Sequence, residues 1–357
     1  MLIAEIIITT ILFIFTVLPM SYSQHYLVRS CDFVRLQVFY LALFNLVIVM
    51  SMLLIFGGDY LWWAAVAVAN SIIVSVQGWW IFPYTWCAAH EVKSAQSNAQ
   101  HSIRIMSANV LMSNHNSDAL LKLVDKYQPD LLITLESDDW WQQKLSVLKK
   151  DYPYTIDCPK DNRYGMHLFS KYKIKQAQIC ELVESDVPSI HILFVNDEGL
   201  EIQGHFIHPA PPSPTEEDSS RPRDSELIMV AKALKDATRP VIVAGDLNDV
   251  AWSRSTRLFM QVSGLLDPRK GRGFFNTFHA SYFFMRWPLD HLFHSTGFTV
   301  KRIKRLAKYG SDHFALLTEL VYEDIEQHSN LDENTELEED VDALMMEHLD
   351  KGQVPTF

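Results

Sequence analysis

Four cysteines in 357 residues, Cys31, Cys87, Cys158 and Cys180, form no C-x-x-C pair. The chain therefore supports neither a zinc knuckle nor a disulfide framework, and the cysteines take no role. No internal repeat is found. A basic stripe is missing too: the formal net charge is −12, and the stretch from Glu323 to Phe357 carries twelve acids against one lysine, so the rest of the chain stands at −1. Proteins that track a nucleic-acid backbone are usually basic, although a bound metal would supply some of the positive charge. The acidic tail, almost without aromatics, reads as mostly disordered, with one short helix near Val341 to Leu349.

Long apolar runs, by contrast, are present. Met1 to Met20, Val38 to Phe56 and Leu61 to Phe82 are broken only by Glu5, by Asn45 and Ser51, and by Asn70, Ser71, Ser75 and Gln77. Each is about as long as a helix crossing ~30 Å of hydrocarbon. The first run lacks a basic start and a small-residue cleavage site, so it reads as a span and not a signal peptide. Gly57 to Tyr60 allows only a tight reversal, and Tyr60, Trp62, Trp63, Trp79, Trp80, Tyr84 and Trp86 suit the headgroup layer. The expected plan is a membrane anchor over 1–87 with spans at about 1–20, 38–56 and 61–82, a linker over 88–100, a catalytic domain over 101–322 and the tail over 323–357. Arg29 and Arg35 between the first two spans and Lys93 after the third put the domain on the cytoplasmic face of an integral membrane protein.

After the linker, strand-like and helix-like segments alternate. Strands are expected at 103–108, 130–135, 166–169, 190–195, 201–207, 240–244, 289–293, 298–303 and 314–320. Helices are expected at 117–126, 140–150 and 224–237, the last with Leu227, Val230, Ala231 and Leu234 on one stripe. So many strands with few helices suit mixed sheets with helices outside them better than a βα barrel. Pro209 to Pro214 must be a surface loop.

Several strand candidates end in polar residues. "IRIMSANV" ends at Asn109, "DLLITLES" at Glu136, "EIQGHFIHPAPP" at His208 and "VIVAGDLND" at Asp246 and Asn248, while "WPLDHLF" carries Asp290 and "YGSDHFAL" carries Asp312 and His313. Each alone is an ordinary turn or cap. Six apolar strands ending in this set of acids, amides and imidazoles point to one shared site.

Those segments, with "YGMHLFSK" at Tyr164 to Lys171, occur in the order found in the endonuclease/exonuclease/phosphatase superfamily, which this chain resembles from about Ser102 to Tyr322. It is most similar to bacterial members in which hydrophobic helices precede the domain, which implies the bacterial inner membrane. The resemblance implies an α/β fold, a two-layer (four-layer α/β/β/α) sandwich of mixed β-sheets flanked by helices, here preceded by transmembrane helices. It also implies a divalent cation, Mg²⁺ with Mn²⁺ as the alternative, held by Glu136 with Asn109 and Asp312. A hard cation on oxygen ligands neutralises the charge that builds on an attacked phosphodiester. In the same pattern Asp246 is the general base for water, Asn248 orients that water if the extended backbone persists, Asp290 holds His313, and His313 and His208 face the phosphate. Tyr164 is a phosphate contact. His208 disfavours an abasic-site repair enzyme, whereas His167, His279 and His291 read as core or strand residues.

"DPRKGRGFFNTFHASYFFMRWPLD", Asp267 to Asp290, reads as an active-site loop: Arg269 and Arg272 bind further phosphates, and its aromatics stack bases, dip into a bilayer or are simply buried. The expected function is a membrane-anchored, metal-dependent phosphodiesterase, a nuclease first. The alternatives are a phospholipid, sphingomyelin or phosphoinositide hydrolase, and a catalytically silent receptor on the same fold. The expected partners are a phosphodiester substrate, nucleic acid or phospholipid headgroup, and the lipid bilayer, with no protein partner evident.

Overall fold

A computed structural model describes residues 1–56, 60–96, 101–213, 218–323, 335–344 and 353–357. The reversal expected at 57–60 falls largely outside them. The chain divides into two compact units, 1–89 with 212–220, and 90–211 with 221–357.

In the first unit α1 (Leu2–Val17), α3 (Arg35–Phe56) and α4 (Tyr60–Ile81) are long and apolar enough to cross a membrane. A short helix, α2 (Tyr26–Phe33), precedes α3. The amide breaks in the apolar runs, Asn45, Asn70 and Gln77, bond across to neighbouring helices. Asn45 Nδ2 donates to Thr9 Oγ1 at 3.1 Å and to Asn70 Oδ1 at 3.3 Å, Asn70 Nδ2 donates to Thr9 Oγ1 at 2.8 Å, and Gln77 Nε2 donates to Thr16 Oγ1 at 3.0 Å. Side-chain amides bonded between helices hold a bundle together where no water competes. The second long helix starts at Arg35, three residues before its expected beginning, because Asp32 neutralises the buried guanidinium through bonds of 2.9 and 2.7 Å.

The second unit is built on two sheets. Sheet one contains β1 (Ile103–Asn109), β2 (Leu131–Leu135), β3 (Tyr154–Cys158), β4 (Met166–Ser170), β10 (Phe298–Arg305) and β11 (Leu316–Tyr322), in the order β10-β11-β1-β2-β4-β3. Sheet two contains β5 (Lys173–Cys180), β6 (Ser189–Val195), β7 (Glu201–Phe206), β8 (Val241–Asp246) and β9 (Asp290–His294), in that order. β1 with β2 and β7 with β8 are parallel, and the other pairs are antiparallel. Strand alternation sends Ile103, Ile105, Leu131, Ile133, Ile190, Ile192, Ile242, Ala244 and Leu292 into one shared inner core.

The opposite faces carry helices. Met106, Ala108 and Leu132 pack with α5 (Ser117–Tyr127) and α6 (Asp139–Leu145), while Val241, Val243 and Phe293 pack with α7 (Arg221–Leu234), α8 (Arg254–Ser263) and α9 (Thr335–Leu344). The result is the expected four-layer α/β/β/α order. β3 and β5, which the sequence pattern does not reveal, are both edge strands, and β5 is exposed along most of its length. Polar edges such as this discourage pairing with other chains, at the cost of the apolar signal.

Stretches expected as unstructured pack here. From the linker, Val92 is buried in the inner core and Ala95 N donates to Val300 O at 2.9 Å. From the tail, Val341 and Leu344 on one face of α9 join the cluster of α7 and α8, and Phe357 N donates to Gln203 Oε1 at 3.2 Å. Residues 324–334 and 345–352 lie outside the described ones.

Glu226 on α7 is wholly buried, its Oε1 has no hydrogen-bond partner among the described residues, and burial next to Glu184 pushes its carboxyl from 4.5 up to about 8. Folding thus favours the protonated form, so this group's stabilisation is complete below pH 4.5 and is lost as pH rises through about 8. Glu226→Gln should raise the thermal unfolding midpoint of the full chain in detergent at about pH 9 and have little effect near pH 5. An equal shift at both would contradict this reading.

Candidate active site

The inner rows end in polar side chains. Asn109 closes β1 in register with Ile103 and Ile105, Asp246 closes β8 in register with Ala244, and Asp290 opens β9 two residues before Leu292. His208 follows Phe206 by the same step of two. The alternation that fills the core therefore delivers these groups to the same edge of both sheets. Asn109 Nδ2 donates to Glu136 Oε1 at 2.8 Å and to Asp246 Oδ2 at 3.1 Å, so one amide bridges carboxylates carried by different sheets. His313, on the turn before β11, joins Asp246 to a third carboxylate: its Nδ1 is 2.8 Å from Asp290 Oδ2 and its Nε2 is 3.4 Å from Asp246 Oδ2. Phe278 packs against the imidazole with ring centroids 4.9 Å apart.

Burial alone would lower the pKa of His313. The carboxylates of Asp290 and Asp246 outweigh it and push the imidazole up to about 10, which makes it a cation at neutral pH. Burial would raise Asp246, but His313, His208 and the donors from Asn248 and Asn109 hold its carboxyl below the ordinary value. At Glu136 burial wins over His208 and Asn109, and the carboxyl is pushed up.

Among the described residues, three buried atoms here have no hydrogen-bond partner: Glu136 Oε2, His208 Nδ1 and Asp290 Oδ1. An orphaned carboxylate oxygen beside an amide fits a hard divalent cation, which would reverse the penalty on Glu136. Asp246, Asp290 and His313 also place potential ligand atoms within 4.8 Å of one another. There, however, the imidazole already pairs with both carboxylates and stands where a cation would. Of the two, the Glu136 end fits a metal better.

The backbone is strained at the same place. Leu111, Glu136 and Asn248 have φ of 57°, 57° and 51°, a left-handed conformation costing non-glycine residues of order 1–3 kcal/mol each. Asn248 departs from expectation for this reason: the strand stops at Asp246, and a left-handed turn, not extended backbone, carries the amide onward. Asp246 Oδ1 accepts from Asn248 N at 2.9 Å, and Asn248 Nδ2 donates to Pro209 O at 3.0 Å. Gly245 permits this packing, since a Cβ there would meet Ile207 O at 1.9 Å.

Tyr164 stands beside His208, with ring centroids 5.5 Å apart. Asp312 precedes His313, its Oδ1 3.4 Å from the Ser311 hydroxyl and its carbonyl accepting from Ala280 N. The two arginines expected on substrate phosphates have another task. Arg269 is 1 % exposed, forms a bidentate pair with Asp267, and reaches His291 Nδ1 at 2.7 Å and Asp290 O at 3.2 Å. Arg272 donates to Pro268 O, Val92 O and Ser94 Oγ. Both tie the loop to the fold, because Asp267 and nearby carbonyls satisfy them locally. His167 and His291 are buried, as expected.

Other contributors escape the sequence. Tyr309 OH and Ser311 Oγ both donate to Asn109 O. Arg223 at the start of α7 donates to Asn248 O at 2.9 Å and pairs with Asp249 at 3.0 Å, which fixes the turn after β8. The available signal was a charged "RPRD" opening a helix. A separate cavity of about 330 Å³, lined by His101, Arg104, Asp130, Asn196 and Glu319, opens at the other end of the strands and shares none of these groups.

The family model described as "Endonuclease/Exonuclease/phosphatase family" matches residues 106–313. No curated protein matches the chain. Solved structures of similar fold include the zebrafish (D. rerio) TDP2 complexed with single-strand DNA product, 17% identical, covering 62% of this chain and 100% of that one with TM-score 0.53. The human Nocturnin catalytic domain with bound sulfate is 18% identical over 62% of this chain and 94% of that one, with TM-score 0.51. An endonuclease/exonuclease/phosphatase family protein from Bacteroides thetaiotaomicron is 23% identical over 65% and 99%, with TM-score 0.50.

Proposed function

Because the chain belongs to the endonuclease/exonuclease/phosphatase family, we propose that it is a membrane-anchored, divalent-cation-dependent phosphodiesterase of the bacterial inner membrane. The observation that carries this reading is the unbroken run of polar contacts from Glu136 through Asn109, Asp246 and His313 to Asp290. Glu136, with help from Asn109 and Asp312, would hold a divalent cation, Mg²⁺ or Mn²⁺, which when bound would supply neutralising charge to the phosphoryl oxygens. Asp246, kept ionised, takes the proton of the attacking water, while Asn248 anchors the turn beside it through Pro209 O. His313, kept cationic by Asp290, donates to a phosphoryl oxygen or to the leaving group, while His208 and Tyr164 contact the phosphate from the other side. Arg29, Arg35 and Lys93 favour a cytoplasmic catalytic unit.

Nucleic acid is the first substrate class, supported by the DNA product bound to the zebrafish relative. A phospholipid headgroup is the second, favoured by the exposed aromatic tip of the 267–290 loop. The full chain in detergent, incubated with plasmid DNA and separately with sphingomyelin and phosphoinositide vesicles, with Mg²⁺ or with EDTA, tests both. Cation-dependent cleavage of either supports the enzyme. Intact substrates throughout would leave the silent receptor as the better account.

A further inference from the structure

Tyr282, Phe283, Phe284 and Met285 follow one another with 52, 80, 58 and 43% of their surface exposed. Single exposed apolar residues are ordinary, but four in succession form a patch that calls for a partner. The patch is joined closely to the site. Its neck is a short antiparallel pairing of Phe278 with Trp287, and Trp287 is buried. Tyr282 packs on His279 at 4.7 Å, Ala280 N donates to Asp312 O, and Phe278 lies against His313.

At the base of the tip, the guanidinium groups of Arg286 and Arg305 lie 5.2 and 4.6 Å from the ring of Phe314, the residue after His313. Arg286 also donates to His279 O and Ala280 O, and Arg305 to Asn276 O, so both cations brace the neck and leave the four exposed apolar side chains as the surface that a lipid interface would take. Nucleic acid is a poorer occupant, because the chain outside its acidic tail has no net positive charge. The exposed rings also pack on each other, Phe283 with Phe284 at 5.4 Å and Tyr282 with Phe284 at 6.2 Å, instead of standing apart to receive bases. A bilayer is at hand if the three membrane-length helices of the same chain are inserted, which gives it a high effective concentration.

We propose that residues 281–286 form a tip that enters the bilayer interface beside the site and brings phosphoesters carried on lipids to Asp246 and His313. The proposal rests on the phosphodiesterase reading, so its test has one readout that needs no catalysis. With Phe283 replaced by p-benzoylphenylalanine, the full chain in phosphatidylcholine–phosphatidylserine nanodiscs is irradiated, and the tryptic peptide 273–286 is examined for a lipid-mass adduct. The same substitution at Val147, 49% exposed on the helical side of sheet one, serves as the control. An adduct at 283 but not at 147 is expected, and none at 283 overturns the proposal. The second readout compares Phe283→Ser/Phe284→Ser with wild type on sphingomyelin and phosphoinositide in the same nanodiscs, on soluble bis(p-nitrophenyl) phosphate and on a single-stranded oligonucleotide.

Expected is a loss of about 10-fold or more on the bilayer substrates, with the soluble ester unaffected. Equal activity on bilayer substrates, or a selective loss on the oligonucleotide, overturns the proposal in favour of an inert or base-stacking tip. Failure of wild type to hydrolyse the soluble ester would instead count against the catalytic reading and leave the crosslink to decide bilayer contact.

Discussion

Asp246→Asn should lower the rate of phosphodiester hydrolysis by about 10³-fold, within the range that a positioned general base contributes. The substitution keeps volume, and its amide oxygen still accepts from Asn248 N, a bond of 2.9 Å in the parent. What it removes is the proton acceptor and one of the two carboxylates that keep His313 cationic. Because Asp246 is fully buried at the junction of the sheets, the unfolding midpoint must be measured alongside the rate. A large loss of rate with a near-parental midpoint is the expected result. A variant as fast as the parent would remove Asp246 from the chemistry and shift the search for a base to Glu136.

Glu136→Gln acts on the other half of the site. Its carboxylate has one oxygen held by Asn109 and one without a partner among the described residues, and burial pushes it up. Without the charge, the preferred cation loses its principal ligand. Altered outer-shell partners alone typically cost 10–100-fold in metal affinity, so the loss here should reach about 10²-fold or more. The concentration of Mg²⁺ giving half-maximal rate should rise accordingly, and EDTA should abolish what remains. A cation dependence identical to the parent's would place the ion elsewhere.

Much of this site was legible before any coordinates because its residues prolong the apolar rows of the core. A strand whose alternate residues are Ile103 and Ile105 must aim Asn109 the same way, and the same holds for Asp246 beyond Ala244. The sandwich follows from the same alternation, since strands with two apolar faces need cover on both. What stayed hidden was local or tertiary. The left-handed turn at Asn248 is held by Arg223, which comes from the start of α7 and meets it only once the helix has packed against the sheet. Arg269 and Arg272 looked free in a glycine-rich stretch, yet Asp267 and four backbone or hydroxyl oxygens claim them. The tail's composition signalled disorder, but Val341 and Leu344 are enough to seat α9 on α7 and α8. β5 hid because its exposed edge carries polar residues in place of an alternating apolar signal.

Anomalous diffraction from crystals of the full chain soaked in Mn²⁺ would show whether a cation sits at Glu136 next to the Asp246–His313 pair. A peak is expected within coordination distance, about 2–2.5 Å, of the Glu136 carboxylate. A peak enclosed by Asp246, Asp290 and His313, or no peak near Glu136 at saturating Mn²⁺, would contradict that placement.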